Sequence, residues 1–144
     1  MDNTQFDALK LENQMCFPLY AAAREVMKLY RPYLDELNLT YTQYITMMVV
    51  WEHRSCSVKE LGEKLHLDSG TLTPVVKSLE QKGFVRRFRS KEDERVLLVE
   101  ITDDGMKLRE QAAAVPPKIG ACIRLTPEEA GTLYRLLYKV LGNS

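Results

Sequence analysis

Between Leu19 and Leu37 apolar residues return every three or four positions: Leu19, Ala22 and Ala23, Val26, Leu29 and Tyr30, Tyr33 and Leu34, then Leu37. That spacing follows one face of a helix. Pro18 and Pro32 interrupt it. Proline lacks an N–H and clashes with the preceding turn, so each marks a helix start or a kink. A second helix is predicted from Thr42 to about His53. It is apolar on nearly every side (Tyr44, Ile45, Met47, Met48, Val49, Val50, Trp51), which puts it at the centre of a core. Ser57 with Glu60 forms a capping box that opens a third helix. Asp68 or Ser69 can cap a fourth, running to about Lys82 with Gly83 closing it.

The period then changes. Phe84-Val85-Arg86-Arg87-Phe88-Arg89 and Val96-Leu97-Leu98-Val99-Glu100-Ile101 read as two strands joined by a charged tip, Ser90 to Arg95. Thr102 starts another helix, broken at Pro116-Pro117. Thr126-Pro127-Glu128-Glu129 combines a cap, a proline at the first helical position and a glutamate three after the cap, so it opens a last helix bearing Leu133, Leu136, Leu137, Val140 and Leu141. The predicted fold is mainly α with a small β-hairpin wing. It is one domain, 1–144, with a winged helix-turn-helix at about 40–101. The helices at about 7–37 and 103–142 are expected to serve dimerisation. A single domain of this size has limited interior for so many apolar stripes, so one of them should pack on a second copy. A two-fold homodimer also suits the reading of a pseudo-palindromic operator in double-stranded DNA, with half-sites about one helical turn apart.

Composition narrows the class. The 144 residues carry 20 Lys/Arg against 20 Asp/Glu, which excludes a globally basic, histone-like DNA binder. The charge is uneven, however, and five of the cations fall between Arg86 and Arg95. No stretch approaches the ~20 apolar residues of a membrane span. The polar, acidic start argues against a signal peptide. Three widely spaced cysteines do not make a disulfide framework, so a cytoplasmic location with reduced thiols is expected. His53 and His66 lack metal-site spacing, and no metal or cofactor is expected.

The fourth helix opens with Ser69, Gly70, Thr71 and Thr73. Their short side chains let a helix N-terminus approach a phosphate, which the helix dipole favours. Thr71, Thr73 and Pro74 can also offer methyl or ring carbons to thymine methyls, and Lys77, one turn on, a phosphate contact. The wing supplies Arg86, Arg87, Arg89, Lys91 and Arg95. An arginine at a hairpin tip can enter a narrow minor groove, and Arg95 is the best placed, with Asp93 orienting its guanidinium or the turn. Taken alone, a basic hairpin is usually a solvated face. The order of capped helix, short turn, capped helix and basic hairpin favours DNA.

Four segments carry a resemblance: Leu11-Glu12-Asn13-Gln14-Met15-Cys16-Phe17, Leu39-Thr40-Tyr41-Thr42-Gln43-Tyr44, Leu67-Asp68-Ser69-Gly70-Thr71-Leu72-Thr73-Pro74 and Asp93-Glu94-Arg95. With them the chain resembles the MarR family of winged-helix repressors over nearly its whole length. The first and third segments resemble its organic-hydroperoxide-sensing branch. The resemblance implies a homodimeric repressor that leaves its operator when one cysteine is oxidised, a role that maps onto Cys16. It implies that Tyr30 and Tyr41 hydrogen-bond the thiolate from the partner subunit's side of the interface, with Tyr20 nearby. It also implies, for one branch, a resolving cysteine in the C-terminal helical region of the opposite subunit. Cys122 occupies a similar place, whereas other members use a small cellular thiol. Cys56, in the turn before the third helix, has no assigned role.

The residue chemistry agrees. Peroxide is attacked by a thiolate, and tyrosine hydroxyls can donate to one without bringing a competing cation. Pro18 would start a helix near Cys16, placing the sulfur at a positive helix end. Met15, Phe17 and Leu19 would favour an organic peroxide. Taken without the flanking motif, a cysteine followed by phenylalanine is more often a buried hydrophobe. Three alternatives remain: a MarR-type repressor relieved by a small phenolic or carboxylate ligand, a thiol peroxidase enzyme, and a winged helix that binds only protein. The missing CxxC pair argues against the enzyme.

Overall fold

The computed structural model describes residues 4–142. Two short 3-10 turns, Thr4–Leu9 and Leu11–Asn13, precede seven α-helices and three strands: α1 (Cys16–Glu36), α2 (Tyr41–His53), β1 (Ser55–Ser57), α3 (Val58–Leu65), α4 (Ser69–Gln81), β2 (Val85–Arg89), β3 (Leu97–Ile101), α5 (Asp103–Ala112), α6 (Val115–Cys122) and α7 (Pro127–Val140). The mainly helical, winged architecture is the one the hydrophobic pattern predicts.

Local chemistry explains most boundaries. α1 begins at Cys16, with Pro18 in its first turn, and runs straight through Pro32 without a break in helical assignment. The missing N–H of Pro32 costs one internal hydrogen bond. The N-terminal helical segment expected from about residue 7 starts later, because the residues before Cys16 wind into 3-10 turns. Thr40 and Gln43 form a capping box at the start of α2, and Ser57 with Glu60 and Thr126 with Glu129 do the same for α3 and α7. Asp68, rather than Ser69, caps α4 by accepting from the Thr71 N–H at 2.7 Å. After α4 the chain passes through Gly83 at φ 84°, a left-handed turn that a side chain would strain.

α2 is the hub of the core. Met47 and Val50 are fully buried, Trp51 nearly so, and the Trp51 indole N–H donates to the Gly105 carbonyl at 2.8 Å, joining α2 to α5. Leu61, Leu72, Val76, Leu79 and Val99 close the same cluster from α3, α4 and β3. Truncating such a side chain to alanine costs about 2–5 kcal/mol. Gly62 allows the tight turn between α3 and α4. A Cβ there would lie 2.7 Å from the Leu67 carbonyl oxygen.

The wing is a three-stranded antiparallel sheet in the order β1-β3-β2, not a lone hairpin. Cys56, expected in a turn, lies in β1 opposite Val99 and is buried. Part of the predicted C-terminal dimerisation segment also packs within the chain: Leu108 and Ala112 of α5 and Val115 and Ile119 of α6 belong to the core. α7 differs, since it has no buried residue. Its Leu133, Tyr134, Leu136, Tyr138 and Val140, and Leu141 just after it, are exposed, as are Phe6, Leu9, Leu11, Met15, Phe17 and Leu19 near the N-terminus. This many exposed large apolar side chains on two segments is the kind of surface that packs on a partner.

Candidate nucleic-acid interface and thiol site

α4 turns Leu72, Val76 and Leu79 inward, which leaves Ser69, Gly70, Thr71, Pro74 and Lys77 exposed on the outer face. Thr73 is half-buried and its hydroxyl donates to the Ser69 carbonyl at 2.7 Å, so that proton is already used. The Asp68 carboxylate occupies the helix N-terminus, and its hydrogen bonds from the Thr71 and Gly70 backbone hold it below the ordinary aspartate range. A phosphate cannot use the Thr71 N–H while Asp68 holds it. The exposed side chains, rather than the bare helix end, are therefore what α4 offers to DNA. Pro74, lacking an N–H, leaves the Gly70 carbonyl without its helical donor on that face.

The five wing cations occupy four settings. Arg87 is a structural tie: its backbone N–H donates to Glu80 Oε2 at 2.9 Å and its Nε to Glu80 Oε1 at 3.1 Å. These bonds pull the Glu80 carboxyl below its usual range and fasten β2 to α4. Arg86 pairs with Glu100 at 2.8 Å and lies over the Phe88 ring. Arg89 and Lys91 are exposed, with no acidic partner among the described residues. At the tip, Arg95 is 91% exposed and donates from Nε to Asp93 Oδ1 at 3.1 Å and from Nη2 to Oδ2 at 3.3 Å. Asp93 also accepts the Arg95 backbone N–H, so one carboxylate fixes both the turn and the guanidinium. The Arg95 hydrogen bonds lower the Asp93 pKa.

The thiol groups occupy three environments. Cys16 is exposed at the first position of α1. Tyr20 follows one turn later, also exposed, and accepts from Arg24 at 3.4 Å. Cys122 is exposed at the end of α6. Cys56 is buried, and burial together with the nearby Glu60 carboxylate pushes its thiol up to about 11. Tyr30 and Tyr41 meet edge to face with ring centroids 5.0 Å apart, and Tyr44 and Trp51 continue the aromatic layer. Burial raises the Tyr30 and Tyr41 pKa values, so both phenols remain protonated donors at neutral pH.

Within a single chain Cys16 stands apart from the Tyr30–Tyr41 pair. Cys16 and Tyr30 lie fourteen residues apart on one unbroken helix, which at 1.5 Å per residue is about 21 Å of axial rise. Neither side chain spans that distance.

Several polar groups here were not anticipated from the sequence: Gln43, Ser78, Glu80 and Lys82. The Thr40-x-x-Gln43 spacing is itself a capping-box signal and could have drawn attention to Gln43. Glu80 carries no local signal, since its partner lies across the turn into β2. Among the described residues, no three His, Cys, Asp or Glu side chains are grouped to hold a metal ion, and no helix is long and apolar enough to cross a membrane.

Comparisons place this geometry. A family model described as transcriptional regulator SarA/Rot matches residues 28–112. The organic hydroperoxide resistance transcriptional regulator of Bacillus subtilis is 48% identical over 141 residues, covering 98% of this chain and 95% of that protein. Reduced AbfR bound to DNA is 33% identical, covers 98% of each chain and superposes with a TM-score of 0.78; AbfR has been solved from Staphylococcus epidermidis. Its disulfide form gives a lower TM-score, 0.67. A mutant MarR from E. coli complexed with operator DNA is 29% identical, covers 92% of this chain and 99% of that one, and has a TM-score of 0.77. With the capped α3–α4 pair, the tethered wing and these likenesses together, the chain belongs to the winged-helix transcriptional regulators of the SarA/Rot and MarR type.

Proposed function

We propose that the protein is a homodimeric repressor that binds a pseudo-palindromic operator and leaves it when an organic hydroperoxide oxidises Cys16. One observation carries the proposal: a chain 48% identical to an organic hydroperoxide resistance regulator exposes a thiol at the start of α1, far along that helix from Tyr30, which pairs with Tyr41 of α2. In a two-fold dimer, Tyr30 and Tyr41 of the partner subunit would face Cys16. The exposed apolar side chains of α7 and of the N-terminal turns supply surface for that dimer, so α1, α6 and α7 are its natural elements.

The chemistry needs no further cofactor. The Cys16 thiolate attacks the terminal peroxide oxygen, the S–O bond forms, the O–O bond breaks, and the alkoxide takes a proton and leaves as an alcohol. The product is a sulfenic acid. The positive end of α1 favours negative charge at the sulfur, and tyrosine O–H groups would donate to it. Exposed Met15, Phe17 and Leu19 suit an alkyl or aryl group on the peroxide. Attack by a Cys122 thiolate from the partner would then form a disulfide and release hydroxide. The burial and raised pKa of Cys56 favour Cys122 for that role. Oxidation here serves as a signal rather than a turnover, which makes the protein a regulator and not a peroxidase.

On the DNA side, Ser69, Thr71, Pro74 and Lys77 of α4 would face the major groove, with Thr73 contributing its methyl group. Arg89, Lys91 and Arg95 would face the backbone and minor groove. The experiment is a mobility shift on a duplex selected from a random pool by the reduced protein. Cumene hydroperoxide should release the wild type and leave Cys16→Ser bound; equal release of both would overturn the sensor. Non-reducing gels should show a covalent dimer that Cys122→Ser abolishes.

A second reading has some support. A groove of about 410 Å³ between α2 and α5, lined by Tyr44, Met48, Trp51 and Arg109, could hold a small aromatic carboxylate. Release of Cys16→Ser from the same duplex by salicylate would favour it.

A further inference from the structure

α4 is held to the rest of the protein mainly by apolar contacts through Leu72, Val76 and Leu79, but besides the Glu80–Arg87 tie to β2 its C-terminal half carries a polar connection to α2. The Gln43 side chain is almost wholly buried at the first turn of α2. Its amide nitrogen donates to the Ser78 hydroxyl of α4 at 2.9 Å. Its carbonyl oxygen accepts the Thr40 N–H at 3.0 Å and the Lys82 ammonium at 2.9 Å. Lys82, which caps the end of α4, also donates to the carbonyl of Asn38. Asn38 is the left-handed residue, φ 57°, that turns the chain from α1 toward α2.

Tyr41 stands two residues before Gln43 in the same turn. At 100° per residue the two side chains lie about 200° apart around the helix. Tyr41 accordingly packs edge to face against Tyr30 of α1, while Gln43 reaches α4. The first turn of α2 is thus a short lever with the phenol pair on one side and the DNA-facing helix on the other. Apolar packing tolerates small slides, whereas a buried amide held by three directional partners does not shift without losing one of them. Ser78 follows Lys77, one of the exposed cations of α4, so a displaced α2 turn would reach the DNA face directly.

We infer that Gln43 is a positioning residue that couples the Tyr30–Tyr41 pair to α4, through Ser78 and Lys82, so that a change at the phenols moves the DNA-reading helix. The inference rests on the redox function proposed above. Four full-length proteins test it: wild type, Ser78→Ala, Gln43→Met and Gln43→Glu. The methionine keeps the side-chain volume but none of the hydrogen bonds. The glutamate can still accept from Thr40, Lys82 and the Ser78 hydroxyl.

The readout is the release factor: the Kd for the selected duplex after cumene hydroperoxide, divided by the Kd before. In Ser78→Ala and Gln43→Met this factor should fall from the ~5–150-fold range of coupled sites toward 1, and in Gln43→Glu it should recover. The rate of Cys16 thiol loss to the peroxide should match wild type in all of them. A purely structural Gln43 would weaken both redox forms equally and leave the factor unchanged, which overturns the inference. Slowed Cys16 oxidation in Ser78→Ala also overturns it, by placing the effect on the chemistry instead of its transmission. If Gln43→Met does not fold, Ser78→Ala decides alone. A wild-type complex that peroxide leaves intact removes the redox function itself, an outcome distinct from variants that release as fully as wild type.

Discussion

Arg87 holds both oxygens of Glu80, one through its backbone N–H at 2.9 Å and one through Nε at 3.1 Å, so a single carboxylate fixes where the wing leaves α4. The two side chains are only partly shielded from solvent, which limits the value of the pair. Replacing Arg87 with alanine should cost about 1 kcal/mol, lowering Tm by roughly 2–4 °C in a chain of this size. Because Arg87 faces the protein, the salt dependence of DNA binding should keep its slope. A slope that falls in Arg87→Ala would show that this side chain meets a phosphate after all.

Arg89, Lys91 and Arg95 should behave in the opposite way. Each cation that neutralises a phosphate contributes close to 0.9 to the slope of log K against log salt concentration. Alanine at any of these positions should lower the slope by about that amount and leave Tm nearly unchanged. For Arg95, Asp93→Asn gives a second check: the guanidinium loses its anchor while its charge remains, so affinity should fall with the slope preserved.

Stability should depend on acid in a definable window. Asp68, Glu80 and Asp93 all have folded pKa values held below ordinary, chiefly by hydrogen bonds from Thr71, Arg87 and Arg95 respectively. The folded state therefore binds protons less readily than the unfolded one. The stabilisation is complete above the unfolded carboxylate range, about pH 4–4.5, and is lost as pH falls through the lower folded values. Thermal melts should be flat from neutrality to about pH 5 and drop below it. Asp68→Asn, which can still cap a helix, should flatten part of that drop.

The three thiols should separate by reactivity. With a pKa near 11, Cys56 at pH 8 has about one thiolate per thousand molecules, and β1 shields it as well. Brief alkylation of the native protein followed by peptide mass analysis should label Cys16 and Cys122 and spare Cys56. Prompt labelling of Cys56 would mean that β1 opens readily from β3.

Much of the fold was legible because its signals are local. Ser57 and Glu60, Thr126 and Glu129, and Asp68 cap their helices within one turn, and the apolar stripe of α2 needs only its own sequence to declare itself buried. The short strand β1 was hidden because three residues cannot show a period; it exists through pairing with β3, more than forty residues away. The same distinction runs through the site. Residue type and spacing singled out the wing cations, whereas Cys16, Tyr30, Tyr41 and Cys122 were marked by the family resemblance, since a lone cysteine or tyrosine carries no local signal of its role.

The sequence by itself determined most of the helices, their capped starts and the two wing strands, since capping, periodicity and turn chemistry act over a few residues. Only the tertiary structure decided which cations remain available, because that depends on acids brought close by folding. Glu80 takes Arg87, Glu100 takes Arg86, and Arg89 and Lys91 are left exposed. It also decided that Gln43 joins α2 to Ser78 and Lys82, since a buried polar group takes its partners from whatever the packed core places beside it.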